Sequence, residues 1–209
     1  MKAAILVYEG TEPIDLATYG VLSMARRVSP DVSMFLVAEK AGPVTLASGL
    51  EVVAHHGYHD APAADVLIIT GGPGWQREAA SPATLAFVRR YSEGICAAAV
   101  CTGGMILAAT GLLDGRPATT KREVCGEESS PLALMRERHP AVRALDARLV
   151  DCGPVLTGGG VSLCIDMTLH LLARFLGEPV ARETARIIEY SAALEANEAR
   201  LPAVRMAAA

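Results

Sequence analysis

The sequence predicts a single-domain α/β protein with a mostly parallel central sheet and helices on both faces. Three observations carry this. Continuous apolar runs at Ala3–Tyr8, Val66–Thr70 and Ile95–Val100 read as strands with no polar face, as in a sheet covered on both sides. Stretches with helical spacing separate these runs, which is the alternation a parallel sheet requires. The chain has 209 residues, 51% hydrophobic and 20% charged, enough for one domain with a sizeable core.

The elements follow in chain order. After the first strand, Glu9–Pro13 makes a polar turn, with Pro13 where a helix can begin. Ile14, Ala17, Val21 and Ala25 then recur at helical spacing up to Arg26-Arg27, which suit a helix C-terminus. Val32–Ala38 is a second strand, and Val44–Leu46 with Leu50–Ala54 form a hairpin turning through Ser48-Gly49. His55, His56 and His59 form the one histidine cluster; in a polar loop without a further ligand at metal spacing, they are expected to be solvated. Ser81-Pro82 caps a helix through about Glu93. Ala118–Thr120 is short and extended, and a polar helix spans roughly Pro131–Arg138. Leu149-Val150 and Val155–Thr157 form a hairpin ending in three glycines. The apolar helix Leu163–Leu176 stops at Gly177, and Pro179–Tyr190 is expected to be the last helix. The domain is expected to span residues 1–195, with 196–209 a loose tail.

The segment Ile95–Leu113 is the most informative one. A buried strand passes straight into Cys101, then Thr102-Gly103-Gly104 and an apolar helical run. A turn this tight holds the junction side chain out at the end of the sheet, as in a nucleophile elbow. Cys101 would then face free N–H groups at the start of a helix, and its thiol is expected to ionise below the free value of ~8.5. A buried structural cysteine is the competing reading. Ligands of parallel sheets bind beyond the carboxyl ends of the strands, which places Thr70–Gly72, Cys101 and the loop before Asp15 at one edge. Asp15 reads either as part of that site or as an acid favouring a helix start. Gly71-Gly72-Pro73-Gly74 either brings backbone N–H groups to a ligand or is a simple turn, and the single tryptophan, Trp75, either walls a pocket or packs.

Composition bounds the function. The net charge of −4 lacks the basic footprint of a nucleic-acid partner. There is no apolar run of membrane-spanning length and no secretory signal pattern at the N-terminus. Five cysteines without a C-x-x-C pair suggest neither a disulfide framework nor a zinc site, so reduced thiols in the cytoplasm are expected, with no metal and no cofactor.

The chain resembles the ThiJ/PfpI superfamily, with its class I glutamine amidotransferase-like (flavodoxin-like) fold, from Ala3 to about Tyr190. The resemblance rests on Ala-Ala-Val-Cys-Thr-Gly-Gly (98–104), Gly-Leu-Leu-Asp-Gly-Arg-Pro-Ala-Thr-Thr (111–120) and Val-Leu-Thr-Gly-Gly-Gly (155–160), supported by Glu-Pro-Ile-Asp-Leu (12–16) and Ile-Glu-Tyr (188–190). Its pattern is most similar to isonitrile hydratases and to the amidase-like domain of AraC-type regulators. The resemblance implies Cys101 as nucleophile, Asp15 bonded to its sulfur through a carboxyl group, and an anion hole from the Gly72 and Thr102 N–H groups. Gly71, Trp75 and Lys121 are the candidate substrate-binding residues. Lys121 stands where the family usually has histidine, which argues against peptide hydrolysis and leaves isonitrile hydration open; a surface role is the other reading of this lysine. The expectation is a cysteine-dependent enzyme acting on a small electrophile, as a homodimer. Hydration of 2-oxoaldehydes and ligand or redox sensing without turnover are the alternatives.

Overall fold

The computed structural model describes residues 1–206. The first β-α unit is β1 (Lys2–Leu6), a 3-10 turn at Pro13–Leu16, α1 (Ala17–Ala25) and β2 (Ser33–Val37). The hairpin β3 (Gly42–Thr45) and β4 (Glu51–Ala54) pairs antiparallel, with Ser48 and Gly49 at positive φ in its turn. Next come β5 (Val66–Ile69), α2 (Trp75–Ala80), α3 (Pro82–Tyr91), β6 (Cys96–Ala99) and α4 (Gly103–Ala109). The short strands β7 (Pro117–Ala118) and β8 (Arg143–Ala144) flank α5 (Pro131–Arg138). β9 (Leu149–Asp151), β10 (Val155–Gly158), α6 (Leu163–Leu176), α7 (Glu178–Ile187), α8 (Ser191–Arg200) and β11 (Ala203–Arg205) complete the described chain.

Seven strands form the main sheet in the order β11-β9-β10-β6-β5-β1-β2. The five from β10 to β2 run parallel; β9 opposes β10, and β11 pairs parallel with β9. Because successive side chains alternate across a strand, β1 sends Ala3 and Ile5 to one face and Ala4 and Leu6 to the other. The first face packs against α1, α6, α7 and α8, the second against α3, α4 and α5. With both faces covered, the strands can be apolar throughout, as the sequence pattern requires.

One expectation needs correction. The segment from 196 is not loose up to Met206, since α8 continues to Arg200 and β11 adds an edge strand; residues 207–209 lie outside the described residues. The histidine cluster lies at the surface, as expected, with His55 and His59 exposed and His56 half-buried. His55 Nδ1 accepts from the Leu36 N–H at 3.0 Å, and the His56 ring meets Phe35 edge-on, so the backbone of 55–56 extends the edge of β2. Among the described residues no group of three or more His, Cys, Asp or Glu is arranged to hold a metal ion, and no helix is long and apolar enough to cross a membrane.

Candidate active site

Cys101 occupies the sharp junction between β6 and α4 with φ 52, a left-handed conformation that costs a non-glycine residue ~1–3 kcal/mol. Surrounding hydrogen bonds hold it there. Its N–H donates to Gly159 O at 3.1 Å, and Thr120 Oγ1 donates to its carbonyl at 2.6 Å. Thr120 was not singled out from sequence, although the Thr-Thr doublet that supplies it was visible. The thiol side faces Gly160, where a Cβ would stand 2.9 Å from both Cys101 Sγ and Lys121 Cβ.

Gly71 serves the elbow differently from what was expected. A Cβ here would meet Thr102 N at 2.5 Å and Cys101 Cβ at 2.9 Å, so only a glycine lets the end of β5 lie against the turn. It does not line the cavity described below; its N–H donates to Asp15 Oδ2 at 2.6 Å and its carbonyl accepts from the Glu12 N–H. Gly71 therefore positions Asp15. Gly71→Ala should destabilise the protein at or beyond the upper end of the ~1–3 kcal/mol typical of overpacking, read from urea midpoints. A loss within 0.5 kcal/mol (~0.5) would contradict so tight a contact.

Asp15 is fully buried in the 3-10 turn and does not cap its helix; its carboxyl crosses to Gly71 instead. Its Oδ1 has no hydrogen-bond partner by strict geometry. Burial raises the Asp15 pKa to about 7, against the lowering effect of the Gly71 N–H, while Glu12 raises it and the neighbouring Cys101 thiol lowers it.

The expected depressed thiol is not found. Burial, with Cys101 only 2% exposed, raises its pKa, and the Asp15 charge adds to this. The Thr102 N–H and Lys121 act in the opposite direction and are outweighed, because α4 has only seven residues and little water reaches the sulfur. A thiolate is favoured here only while Asp15 carries a proton, so the two groups titrate as a pair.

The expected anion hole is also altered. The Gly72 N–H donates to Thr102 Oγ1 at 2.8 Å, so one of its two donors is satisfied by the protein's own hydroxyl. Gly72, Thr102, Trp75, Lys121 and Cys101 line a single cavity of about 790 Å³ whose walls also include Glu12 and the Pro131, Leu134 and Arg138 side of α5. Lys121 therefore borders the site, and its Nζ donates to the Glu123 carbonyl. Trp75 opens α2 and contributes to the cavity wall.

A protein-family model described as the DJ-1/PfpI family matches residues 1–174. The chain belongs to this family. Isonitrile hydratase from Pseudomonas putida is 29% identical over 197 residues, 92% of this chain and 80% of that protein. The HTH-type transcriptional regulator GbdR from Pseudomonas aeruginosa is 32% identical over 149 residues, 70% of this chain and 38% of the regulator. Among solved structures, a ThiJ/PfpI family protein from Pseudomonas syringae superposes with a TM-score of 0.78 at 26% identity, covering 91% of this chain and 75% of that one. Drosophila melanogaster DJ-1beta shares the fold, with a TM-score of 0.74 at 18% identity over 91% of this chain and 98% of that one. The resemblance read from the elbow and glycine motifs is thus shown, as is the α/β fold with its mostly parallel sheet. The family includes both an enzyme and regulators, so membership alone does not assign a reaction.

Proposed function

We propose that this DJ-1/PfpI protein hydrates isonitriles to N-substituted formamides, with Cys101 as nucleophile and Asp15 as proton carrier. The observation that carries this reading is the buried pair at the foot of the cavity: a thiol on a strained elbow beside a carboxyl whose pKa is raised to about 7. In the reactive form Asp15 holds the pair's proton and Cys101 is the thiolate. The Asp15 proton passes to the terminal isonitrile carbon as the sulfur bonds to it, giving a thioimidate. Water then adds its oxygen to that carbon, with one proton going to the nitrogen and the other restoring the Asp15 carboxyl. Cleavage of the carbon–sulfur bond releases the formamide and regenerates the thiolate. A pKa near 7 suits a group that must give and take a proton at neutral pH.

Supporting roles follow from position. The Thr102 N–H faces the sulfur and favours its charged form, while the Thr102 hydroxyl, held by the Gly72 N–H, borders the cavity. Lys121 supplies positive charge near the thiol without the proton-accepting capacity of a neutral histidine. The unit proposed to act is a homodimer, without cofactor or metal.

A steady-state screen of isonitriles and 2-oxoaldehydes against wild-type protein tests the reading. Formamide release from an isonitrile, with kcat/KM at least tenfold above that for any oxoaldehyde, is the expected result. Oxoaldehyde turnover alone would make it a glyoxalase-type hydratase. The similarity to regulators supports a second reading, sensing without turnover, for which neither substrate class would react.

A further inference from the structure

The cavity beside Cys101 is much larger than the reacting group it would hold. About 790 Å³ lies in the range of pockets that enclose drug-sized ligands, and a two- or three-carbon electrophile (roughly that size) would leave most of it filled with water. Its charges are unevenly placed. Glu12 lies at the thiol end, since its N–H bonds the Gly71 carbonyl beside the elbow. Lys121 and Glu128 also lie there or at the start of α5, because the Lys121 carbonyl accepts from the Leu132 N–H and Ser130 caps that helix. From that point Pro131, Leu134 and Arg138 form a single stripe of α5 along the cavity, while Leu132 and Met135 turn into the core. At 1.5 Å per residue Arg138 sits ~10 Å further along the helix than Pro131. The nearby cations are engaged: Lys121 on the Glu123 carbonyl, Arg122 on Glu123 and Asp146. Arg138, exposed in the last turn of α5, makes no ion pair among the described residues and borders the cavity.

We propose that the site takes electrophiles carried on an apolar body that ends in a carboxylate, the apolar body lying along Trp75, Pro131 and Leu134 and the carboxylate pairing with Arg138. The proposal rests on the isonitrile reading of the same site and names its substrate class. A guanidinium suits a carboxylate because its fork of N–H donors matches the two oxygens. A rigid phenylene spacer keeps the isocyano group and the carboxylate at opposite ends of one apolar body, so 4-isocyanobenzoate is the probe, with its methyl ester as the neutral control.

An arginine in the last turn of a helix also favours the helix macrodipole. That role alone predicts a small loss of stability in Arg138→Gln with no change in ligand discrimination. The proposal predicts that wild type prefers the carboxylate to the ester about tenfold in kcat/KM, through KM, and that the ratio falls to within twofold in Arg138→Gln. A tenfold change corresponds to ~1.4 kcal/mol, within reach of one charge-assisted pair. A wild-type ratio within twofold of one, or a ratio that Arg138→Gln leaves unchanged, overturns the proposal.

Binding of the product 4-formamidobenzoate, measured by calorimetry on both proteins, separates this proposal from the reaction on which it rests. Binding weakened about tenfold in Arg138→Gln, without turnover of either isonitrile, keeps the carboxylate site and removes the hydratase reading. Binding that is absent in wild type, or equal in both proteins, removes the carboxylate site.

Discussion

Replacing Cys101 with serine is expected to lower hydration of any isonitrile accepted by the wild type by about 10⁴-fold or more, while the fold is retained. The size of the effect follows from the chemistry of the atom at the elbow. A serine hydroxyl has no accessible anion at neutral pH, and Asp15 cannot favour one by holding a proton the hydroxyl never releases. Oxygen is also smaller than sulfur, so serine fits the space that Gly160 leaves for the side chain at 101. Far-ultraviolet circular dichroism and the urea midpoint should match the wild type while formamide release disappears. Turnover within tenfold of wild type would exclude a covalent route through Cys101.

Asp15→Asn is expected to have two large effects of opposite kind. Turnover should fall by about 10²–10⁴, the usual contribution of a positioned proton carrier, because the amide cannot deliver the proton. Stability above neutral pH should rise. The carboxyl titrates near 3.8 in an unperturbed setting and at about 7 in the folded protein. Between those values the unfolded chain has released the proton that the native state retains, so native stability declines as pH rises from ~4 to ~7 and levels off above. About three pH units at ~1.4 kcal/mol each set the scale of the decline at ~4 kcal/mol. Asparagine has no proton to lose, keeps an acceptor for the Gly71 N–H, and escapes the decline. Urea denaturation at pH 5 and pH 8 measures it: the wild type should lose stability between the two, and the variant should lose far less. Equal losses in both proteins would mean that Asp15 is not the buried group titrating in that range. The stability given up at Asp15 is what keeps a proton available beside the thiol.

How much of this was legible in the sequence depended on whether a feature is local. β5, β6 and α6 announced themselves as unbroken or periodic apolar runs, since residues buried on both sides need no polar alternation. The elbow was legible too, because strand, cysteine, glycine pair and helix are contiguous. α2 has six residues, too few to establish a period, and α8 buries only Leu194 among polar neighbours, so it reads as surface chain. The candidate site was legible in its residues but less so in their roles. Gly71 was singled out for an approach to substrate, whereas the atoms it approaches belong to Thr102 and Cys101. The direction of the Cys101 pKa was missed because helix geometry can be inferred from neighbouring residues, whereas the depth of burial and the Asp15 charge beside the sulfur arise from chain segments distant in sequence. Arg138 gave no signal of its own; it reaches the cavity only because α5 lies across the site.

The edge strand β11 carries a consequence for how the molecule avoids its own copies. An uncovered strand offers a row of free N–H and C=O groups onto which another chain can template itself. Without β11, that row would belong to β9, where Leu149 and Val150 are buried and apolar and well suited to such a partner. β11 instead presents Ala203, Val204 and Arg205, a three-residue strand with a charge at its end. The same cover connects inward: the Arg148 N–H donates to Pro202 O, Arg148 O accepts from Gly159, and Gly159 O accepts from Cys101. Proteolysis just after α8 would therefore leave the domain with a sticky seam at its margin, and that seam lies two hydrogen bonds from the reactive sulfur's own backbone.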